Sequence, residues 1–143
     1  MWFSRKKPEG SAAKAVPPTG QITTKQRGDA AEAAACRYLA AQGLTLIETN
    51  FRTPGRGGGE IDLVMRAPDR TLVFVEVRQR SGQGHGGAGA SIGAVKQRRI
   101  VLAARHYLIR LPSPPPCRFD VVLVTGAAEA RHIEWLQAAF DAS

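Results

Sequence analysis

The chain has 143 residues, with 20 basic and 12 acidic side chains and a net charge of +8. This length suits one domain with a sizeable core, and no apolar run approaches the roughly 20 residues that a membrane span needs. A basic chain attracts polyanions, so the charge favours nucleic acid as partner; the alternative is a charge that only keeps the protein soluble.

The N-terminal region holds much of this charge. Residues 1–28 carry six basic side chains and one acidic side chain. Because residues 1–22 have few large apolar groups, we predict a disordered basic tail there, without the apolar segment of a secretory signal, and a single domain over residues 23–143. The two cysteines, Cys36 and Cys117, lie far apart in a spacing that fits no metal site. They indicate a reduced cytoplasmic protein, with one disulfide as the alternative.

A first helix is predicted to begin at Thr23 or Thr24, which can cap it, and to end before Gly43. Its expected core face contains Gly28, Ala35, Cys36 and Leu39. Glu32 lies on the same face, where an unpaired carboxylate is costly, so it needs a cation or a water-filled cleft. The alternative is that Glu32 turns to solvent or pairs with Arg37.

Three strands should follow the helix. The sequence predicts them at residues 44–52, at "EIDLVMR" and at "TLVFVEVRQR", with "TPGRGGG" and "APDR" as the connections. Residues 81–93, "SGQGHGGAGASIG", are too rich in glycine for regular structure. They form either a flap that orders on nucleic acid or a plain flexible loop.

A second helix is predicted from about Ser91 to Arg110. Its inward residues should be Ile92, Val95, Ile100, Ala103, Ala104, Tyr107 and Leu108. Then come a strand at "RFDVVLV" and, in "RHIEWLQAAF", a short strand with a C-terminal turn of helix. The order α-β-β-β-α-β-β predicts a mixed α/β sandwich and not a doubly wound fold.

Two acidic residues stand where the second and third strands should carry hydrophobic residues. These are Asp62, between Ile61 and Leu63, and Glu76, between Val75 and Val77. Their relative position depends on the hairpin, since side chains alternate between the faces of a strand. If Ala67 pairs with Thr71, a three-residue loop brings Asp62 opposite Glu76, whereas a two-residue loop separates them. We predict the odd-length loop.

Opposed carboxylates about 5 Å apart repel each other and need compensation. A hard divalent cation provides it, since Mg²⁺ typically takes one or two carboxylates together with phosphate oxygens of a substrate. We therefore predict Mg²⁺ or Mn²⁺ as the cofactor. The alternative is an ion-pair ladder in which Arg52, Arg78 or Arg118 neutralises the two acids.

Several motifs occur in an order that resembles the YraN-like family of bacterial proteins, over about residues 24–140. They are "GDAAEAAACRYL", "NFR", "GGGEIDLVM", "LVFVEVRQR", "KQRRIVLAARHYL", "RFDVVLV" and the terminal "AAF". That family is similar to Holliday-junction resolvases and restriction endonucleases of the PD-(D/E)xK type. The resemblance implies a restriction-endonuclease-like fold, with Glu32, Asp62 and Glu76 as catalytic and metal-site acids and position 78 as the basic residue.

The chain departs from that pattern at position 78, where Arg78 replaces the usual lysine. Arginine keeps its proton in proteins, so Arg78 cannot activate water as a base. It can still hold a phosphate and stabilise the charge of the transition state. Lys96, at the start of the second helix, is the other candidate for the missing ammonium.

The predicted function is a metal-dependent endonuclease that hydrolyses phosphodiester bonds of DNA, branched or damaged. Phosphate contacts are expected from Arg80, Arg98, Arg99 and Arg105. A catalytically weak or inactive nucleic-acid-binding module of the same fold is the first alternative, and a protein-binding scaffold is the second. A homodimer would suit junction cutting, although no interface is recognisable in the sequence.

Overall fold

The computed structural model describes residues 23–80 and 92–142. Its elements are α1 (Thr24–Ala41), β1 (Thr45–Arg52), β2 (Glu60–Arg66), β3 (Leu72–Arg80), α2 (Ala94–Ile109), β4 (Cys117–Thr125) and β5 (His132–Phe140), with a short 3₁₀ turn at Ala128–Ala130. The predicted order α-β-β-β-α-β-β is confirmed. The predicted basic tail and residues 81–91 of the glycine-rich segment lie outside the described residues.

The five strands form one sheet in the order β1-β2-β3-β4-β5. Neighbours are antiparallel except β3 and β4, which are parallel and are connected through α2. Alternate residues of β3 face different helices: Val73 and Val75 pack in the cluster with α1, while Leu72 and Phe74 pack in the cluster with α2. The mixed α/β sandwich is therefore confirmed, with one helix on each face of the sheet.

Helix α1 begins and ends as its sequence predicts. The Thr23 hydroxyl accepts a hydrogen bond from the Gln26 amide, and the Gln26 side chain accepts one from the Thr23 amide, which forms a capping box. Gly43 follows the C-cap with a φ of +103°, a conformation that favours glycine. Neither helix in the described part of the chain is long and apolar enough to cross a membrane.

Helix α2 begins at Ala94 and buries the predicted face, with the exception of one residue. Val95, expected to face inward, is 55% exposed, while Val101 is buried. Ile100 and Ala104 do lie in the core, as predicted. The prediction for Val95 was wrong because five residues separate it from Ile100, which corresponds to a rotation of about 140° on a helix with 3.6 residues per turn.

The C-terminal segment is strand throughout, so the predicted final turn of helix is wrong. A register irregularity in the β4–β5 pairing lies between Phe119 and Val121, and Ala138 has a φ of +50°. This irregularity lets Phe140 pair with Phe119, and their rings stack with centroids 5.0 Å apart. Local sequence suggested a helix, but the bulge and the stacking contact favour a strand.

Asp120 in β4 is fully buried and holds β5 in place. Its carboxylate accepts hydrogen bonds from Arg118 Nε at 3.1 Å, from Trp135 Nε1 at 2.9 Å and from the Ala138 amide at 2.9 Å. Such a satisfied buried carboxylate is a structural element, because each donor offsets part of its desolvation cost.

Candidate acidic site between two strands

The β2–β3 hairpin has the predicted odd-length loop. The Ala67 amide donates to the Thr71 carbonyl at 2.9 Å, which leaves Pro68, Asp69 and Arg70 as the loop. Regular pairing runs from Arg66 opposite Leu72 to Leu63 opposite Val75. This register directs Asp62 and Glu76 to the same side.

Beyond Leu63 the ladder between β2 and β3 ends. The same register, continued, would place Ile61 opposite Val77. Instead, the Val77 amide donates to Asp62 Oδ2 at 2.8 Å. A side-chain oxygen thus takes the place of a main-chain acceptor, and the Asp62 carboxylate lies in the gap where the two strands separate.

Asp62 and Glu76 repel each other in a poorly solvated environment. Burial and then the charge of Glu76 raise the pKa of Asp62 to about 7, although the bond from Val77 opposes the shift. Glu76 is only 7% exposed, and burial raises its pKa as well. The two carboxyl groups are close enough to share one proton, and we assign it to Asp62 because Glu76 has cationic neighbours.

Two cations flank Glu76. Lys96, in the first turn of α2, places its Nζ 3.3 Å from Glu76 Oε2. Both this ammonium and the nearby Arg78 guanidinium lower the pKa of Glu76. The predicted basic residues at positions 78 and 96 therefore both lie beside the acidic pair. Since Arg52 pairs with Glu60 at 3.6 Å and Arg118 with Asp120, the ion-pair ladder proposed for these two arginines does not form.

Glu32 reaches the site from α1 through Asn50, a residue that the sequence analysis missed. Asn50 Nδ2 lies 3.3 Å from Glu32 Oε1 and 3.3 Å from Glu60 Oε2. Burial and the charge of Asp62 raise the pKa of Glu32, while the Asn50 hydrogen bond lowers it. Asn50 is therefore the contact that holds Glu32 towards the acidic pair.

The backbone explains how Asn50 achieves this. Its φ is +50°, and it lies between the paired residues Thr49 and Phe51, directly across from Asp62. Asparagine tolerates this left-handed conformation better than most residues with a side chain. The identifiable signal was an asparagine inside the predicted first strand, but its two partners, Glu32 and Glu60, come from two other segments of the chain.

The substitution Asn50→Gly should remove the side-chain contacts of Asn50 while keeping the left-handed backbone conformation. Glycine adopts a φ of +50° freely, so the free energy of unfolding should be unchanged or slightly higher. The Glu32 carboxyl loses the hydrogen bond that lowers its pKa, so that pKa should rise further above its usual value. Carbon-detected NMR titration of Glu32 measures this, and an unmoved Glu32 pKa in Asn50→Gly would show that the contact has no role in positioning.

The predicted phosphate contacts lie apart from one another. Arg98, Arg99 and Arg105 are exposed on α2. Arg80 is at the end of β3, 3.9 Å from Glu134 of β5. Arg99 lines a cleft together with Lys96, Arg98 and Arg105 lie on the other side of α2, and Arg80 is directed towards the β5 edge of the sheet.

The donor set suits a hard cation with few protein ligands. Among residues 23–80 and 92–142, no group of three or more His, Cys, Asp or Glu side chains is arranged to hold a metal ion. Asp62 and Glu76 form a pair, and Mg²⁺ commonly binds one or two carboxylates with the remaining positions taken by water and substrate phosphate. The charge of Glu76 raises the pKa of Asp62, which indicates that the two carboxyl groups lie close together. Glu32 lies within electrostatic reach of Asp62 and fits an outer contact.

The fold and the site define a mixed α/β protein with a pair of buried carboxylates in the gap between two strands. Residues 31–124 match the model described as "Uncharacterised protein family UPF0102", and the chain belongs to that family. The matched segment includes Glu32, Asp62, Glu76, Arg78 and Lys96.

Curated relatives resemble the chain over most or all of its length. It is 66% identical to the UPF0102 protein of Polaromonas naphthalenivorans and 55% identical to that of Acidovorax sp., in both cases over the whole of both chains. The UPF0102 protein of Albidiferax ferrireducens is 66% identical over 84% of this chain and 91% of its own. In the described residues both cysteines are free thiols.

Proposed function

We propose that this protein is a metal-dependent nuclease that hydrolyses phosphodiester bonds of DNA, with branched or damaged DNA as its substrate. One observation carries the proposal: the Asp62 carboxylate lies in the gap between β2 and β3, beside the buried Glu76. A fold gains nothing in stability from two like charges in such a place. A cation that bridges them relieves the repulsion and creates a site for a phosphate.

Asp62 and Glu76 would hold Mg²⁺ or Mn²⁺. Glu32, positioned by Asn50, would act as an outer contact to the ion or to its water. A bound ion of this kind supplies Lewis-acid polarisation of phosphate oxygens and lowers the pKa of a water molecule. Because the acidic pair comes from β2 and β3 and Glu32 comes from α1, such a site would depend on the packing of α1 against the sheet.

The cations beside Glu76 would bind the substrate. The Arg78 guanidinium can donate two parallel hydrogen bonds to a phosphate. Lys96 now neutralises Glu76. If a divalent ion bound at Glu76, the Lys96 ammonium would become available for a phosphate oxygen. Arg78 and Lys96 together would therefore stabilise the charge that develops on the phosphate in the transition state.

The exposed arginines of α2 would guide the DNA backbone towards the site. Arg98, Arg99 and Arg105 share that helix with Lys96, and attraction of phosphates to such a face depends strongly on salt. Arg80 would contact DNA from the far side of β3. A cytoplasmic location suits the free thiols. A symmetric junction substrate would call for two copies, which sedimentation with and without junction DNA can detect.

The direct test is a cleavage assay with purified protein. We expect single-stranded, duplex or branched DNA to be cleaved with Mg²⁺ or Mn²⁺ and to remain intact with a chelator. Asp69→Asn is a matched control, because Asp69 lies in the hairpin loop, and an asparagine can still accept the Thr71 amide bond. The absence of cleavage of every DNA form with either ion would refute the proposal.

A second candidate is a nucleic-acid-binding module that does not cleave, favoured by Arg78 in place of the lysine. If the protein is instead a nuclease weakened by this arginine, we expect Arg78→Lys to raise the cleavage rate about tenfold at pH 8 to 9. A lysine beside a bound cation can lose its proton and assist water. Initial rates on the best DNA substrate measure this. Salt-dependent DNA binding without cleavage in either protein would support the module.

A further inference from the structure

We propose that the cleft between the β1–β2 connection and the start of α2 binds a phosphate group of the nucleic-acid strand, next to the phosphodiester that is cleaved. The identity of this ligand rests on the proposed function. The cleft has a volume of about 340 Å³. Its lining consists of Arg52, Thr53, Gly55, Gly58, Gly59, Glu60, Lys96, Arg99 and Ile100. Only Glu60 and Lys96 of these residues belong to the acidic site described above.

The cleft is built by a close contact between two elements. The Thr53 hydroxyl accepts a bond from the Gly59 amide at 2.8 Å, and the Thr53 amide donates to the Gly59 carbonyl at 3.1 Å. These bonds close the β1–β2 connection into a compact loop. Gly59 lies directly against the Arg99 main-chain carbonyl, so that a Cβ at position 59 would overlap it. A glycine is required there for α2 to approach the loop.

The charge of the cleft is positive. Arg52, Lys96 and Arg99 line it, against a single carboxylate, Glu60. The Arg52–Glu60 pair is 3.6 Å long, with the two side chains 72% and 38% exposed, so it contributes little and leaves the arginine available. Arg99 is exposed and makes no ion pair with any residue of the described ranges. Such a surplus of cations around a concave surface favours an anion.

The start of α2 adds to this potential. Its N-cap, Gly93, makes no side-chain capping bond, and the first turn contains no acidic residue. The amides of that turn therefore keep their partial positive charge, which attracts an anion when basic side chains surround them. Lys96 and Arg99, which both line the cleft, lie in the first two turns of the same helix.

Two residues of the cleft connect it to the acidic site. Lys96 lines the cleft and contacts Glu76, while Glu60 lines it and accepts a bond from Asn50, which also contacts Glu32. A nucleic-acid strand carries phosphates in series, so a strand with one phosphate at Asp62 and Glu76 presents another group to the cleft. A cleft of this volume and polarity suits a phosphate with its sugar, since ligand pockets begin at roughly 300 Å³.

The test measures DNA binding in chelator, which requires neither metal nor cleavage. The variant is the double substitution Arg52→Gln with Arg99→Gln. Its matched control, Arg66→Gln with Arg70→Gln, removes the same charge from exposed positions at the β2–β3 hairpin. Fluorescence anisotropy of a labelled 12-nucleotide strand at 50 to 200 mM salt should show affinity reduced about tenfold or more and a salt slope lowered by about one in the cleft variant. The control should change affinity less than threefold.

Competitors distinguish a strand phosphate from a free phosphate. We expect an unlabelled strand to displace the probe at micromolar concentration and 10 mM inorganic phosphate to displace little of it. Equal competition by inorganic phosphate, or equal affinity of the cleft variant and its control, would overturn the inference. If the cleft variant alone loses DNA binding, the inference is supported even when the wild-type protein does not cleave DNA. If the wild-type protein cleaves DNA but the substitutions at Arg52 and Arg99 do not change binding, the cleft is refuted and the proposed nuclease function is not.

Discussion

Asp62→Asn is expected to abolish cleavage and, in the absence of divalent metal, to make the protein more stable. The amide nitrogen cannot bind a hard cation, so the variant loses the several kcal/mol of transition-state stabilisation that a bound ion provides. At about 1.4 kcal/mol per factor of ten, the rate should fall on the order of 10³-fold. A buried asparagine, however, resembles the protonated form of Asp62: its oxygen can accept from Val77 and its NH₂ can donate to Glu76.

The gain in stability should depend on pH. The pKa of Asp62 is raised from 3.8 to about 7 in the folded protein, so below pH 4 the unfolded and folded states are protonated alike. As the pH rises from about 4 to about 7, the unfolded state ionises first and the folded state loses relative stability, which is then constant above pH 7. The full shift corresponds to about 4 kcal/mol, and because Asp62 keeps some contact with water we expect on the order of 2 kcal/mol.

Denaturation with urea at pH 4.5 and pH 8, in chelator, measures this difference. Asp62→Asn should be clearly more stable than the wild type at pH 8 and much closer to it at pH 4.5. Added Mg²⁺ or Mn²⁺ should stabilise the wild type at pH 8 and leave the variant unchanged, because binding to the native state alone shifts the unfolding equilibrium. A variant that is less stable at both pH values would contradict our view of Asp62 as a repelled acid.

Asp120→Ala is expected to destabilise the protein by about 3 to 5 kcal/mol without direct effect on the acidic site. The substitution leaves Arg118, the Trp135 indole and the Ala138 amide without their common acceptor, and breaking a buried charged network in this way carries costs of this size. Typical domains have only 5 to 15 kcal/mol of stability, so β5 should open or the domain unfold at moderate temperature.

Urea denaturation and near-ultraviolet circular dichroism of Trp135 measure this loss. Asp120→Asn keeps one oxygen, which can accept from either the Trp135 indole or the Ala138 amide but not from both, so it should lose less stability than Asp120→Ala. Asp29→Ala is the matched control, because the Lys25–Asp29 pair is also short, at 2.9 Å, but lies on the surface. Its removal should leave stability nearly unchanged. Equal effects at positions 29 and 120 would show that burial of Asp120 has no energetic consequence.

Part of the candidate site was predictable because hairpin register follows from loop length. A three-residue loop after Ala67 brings Asp62 and Glu76 to one side, and the structure has that loop. Arg78 could be placed on the face of β3 that carries Glu76, and Lys96 was a candidate for the ammonium, but only the structure shows its contact with Glu76. Asn50 could not, since its role depends on a left-handed backbone conformation within β1 and on a helix that arrives from the other face of the sheet.

The two wrong predictions, for Val95 and for the end of β5, have the same origin. Val95 was assigned to the core from its apolar character, although the rotation of α2 is decided by Ile100, Ala103 and Tyr107 packing on the sheet. The last residues of β5 contain alanines that suit a helix, but Asp120 and Phe119 hold them as a strand. In both places a contact distant in sequence outweighed the local preference.

The amino-acid sequence by itself determined the order of elements, the ends of α1 and the side of the sheet to which Asp62 and Glu76 point. These properties follow from capping groups, side-chain periodicity and loop length, which act over a few residues. Only the tertiary structure decided that β2 and β3 separate at Asp62, that Asn50 connects Glu32 to the site, and that Gly59 against Arg99 opens a basic cleft beside it. Those features arise from contacts between segments far apart in the chain, and their energies appear only when the sheet and both helices are assembled.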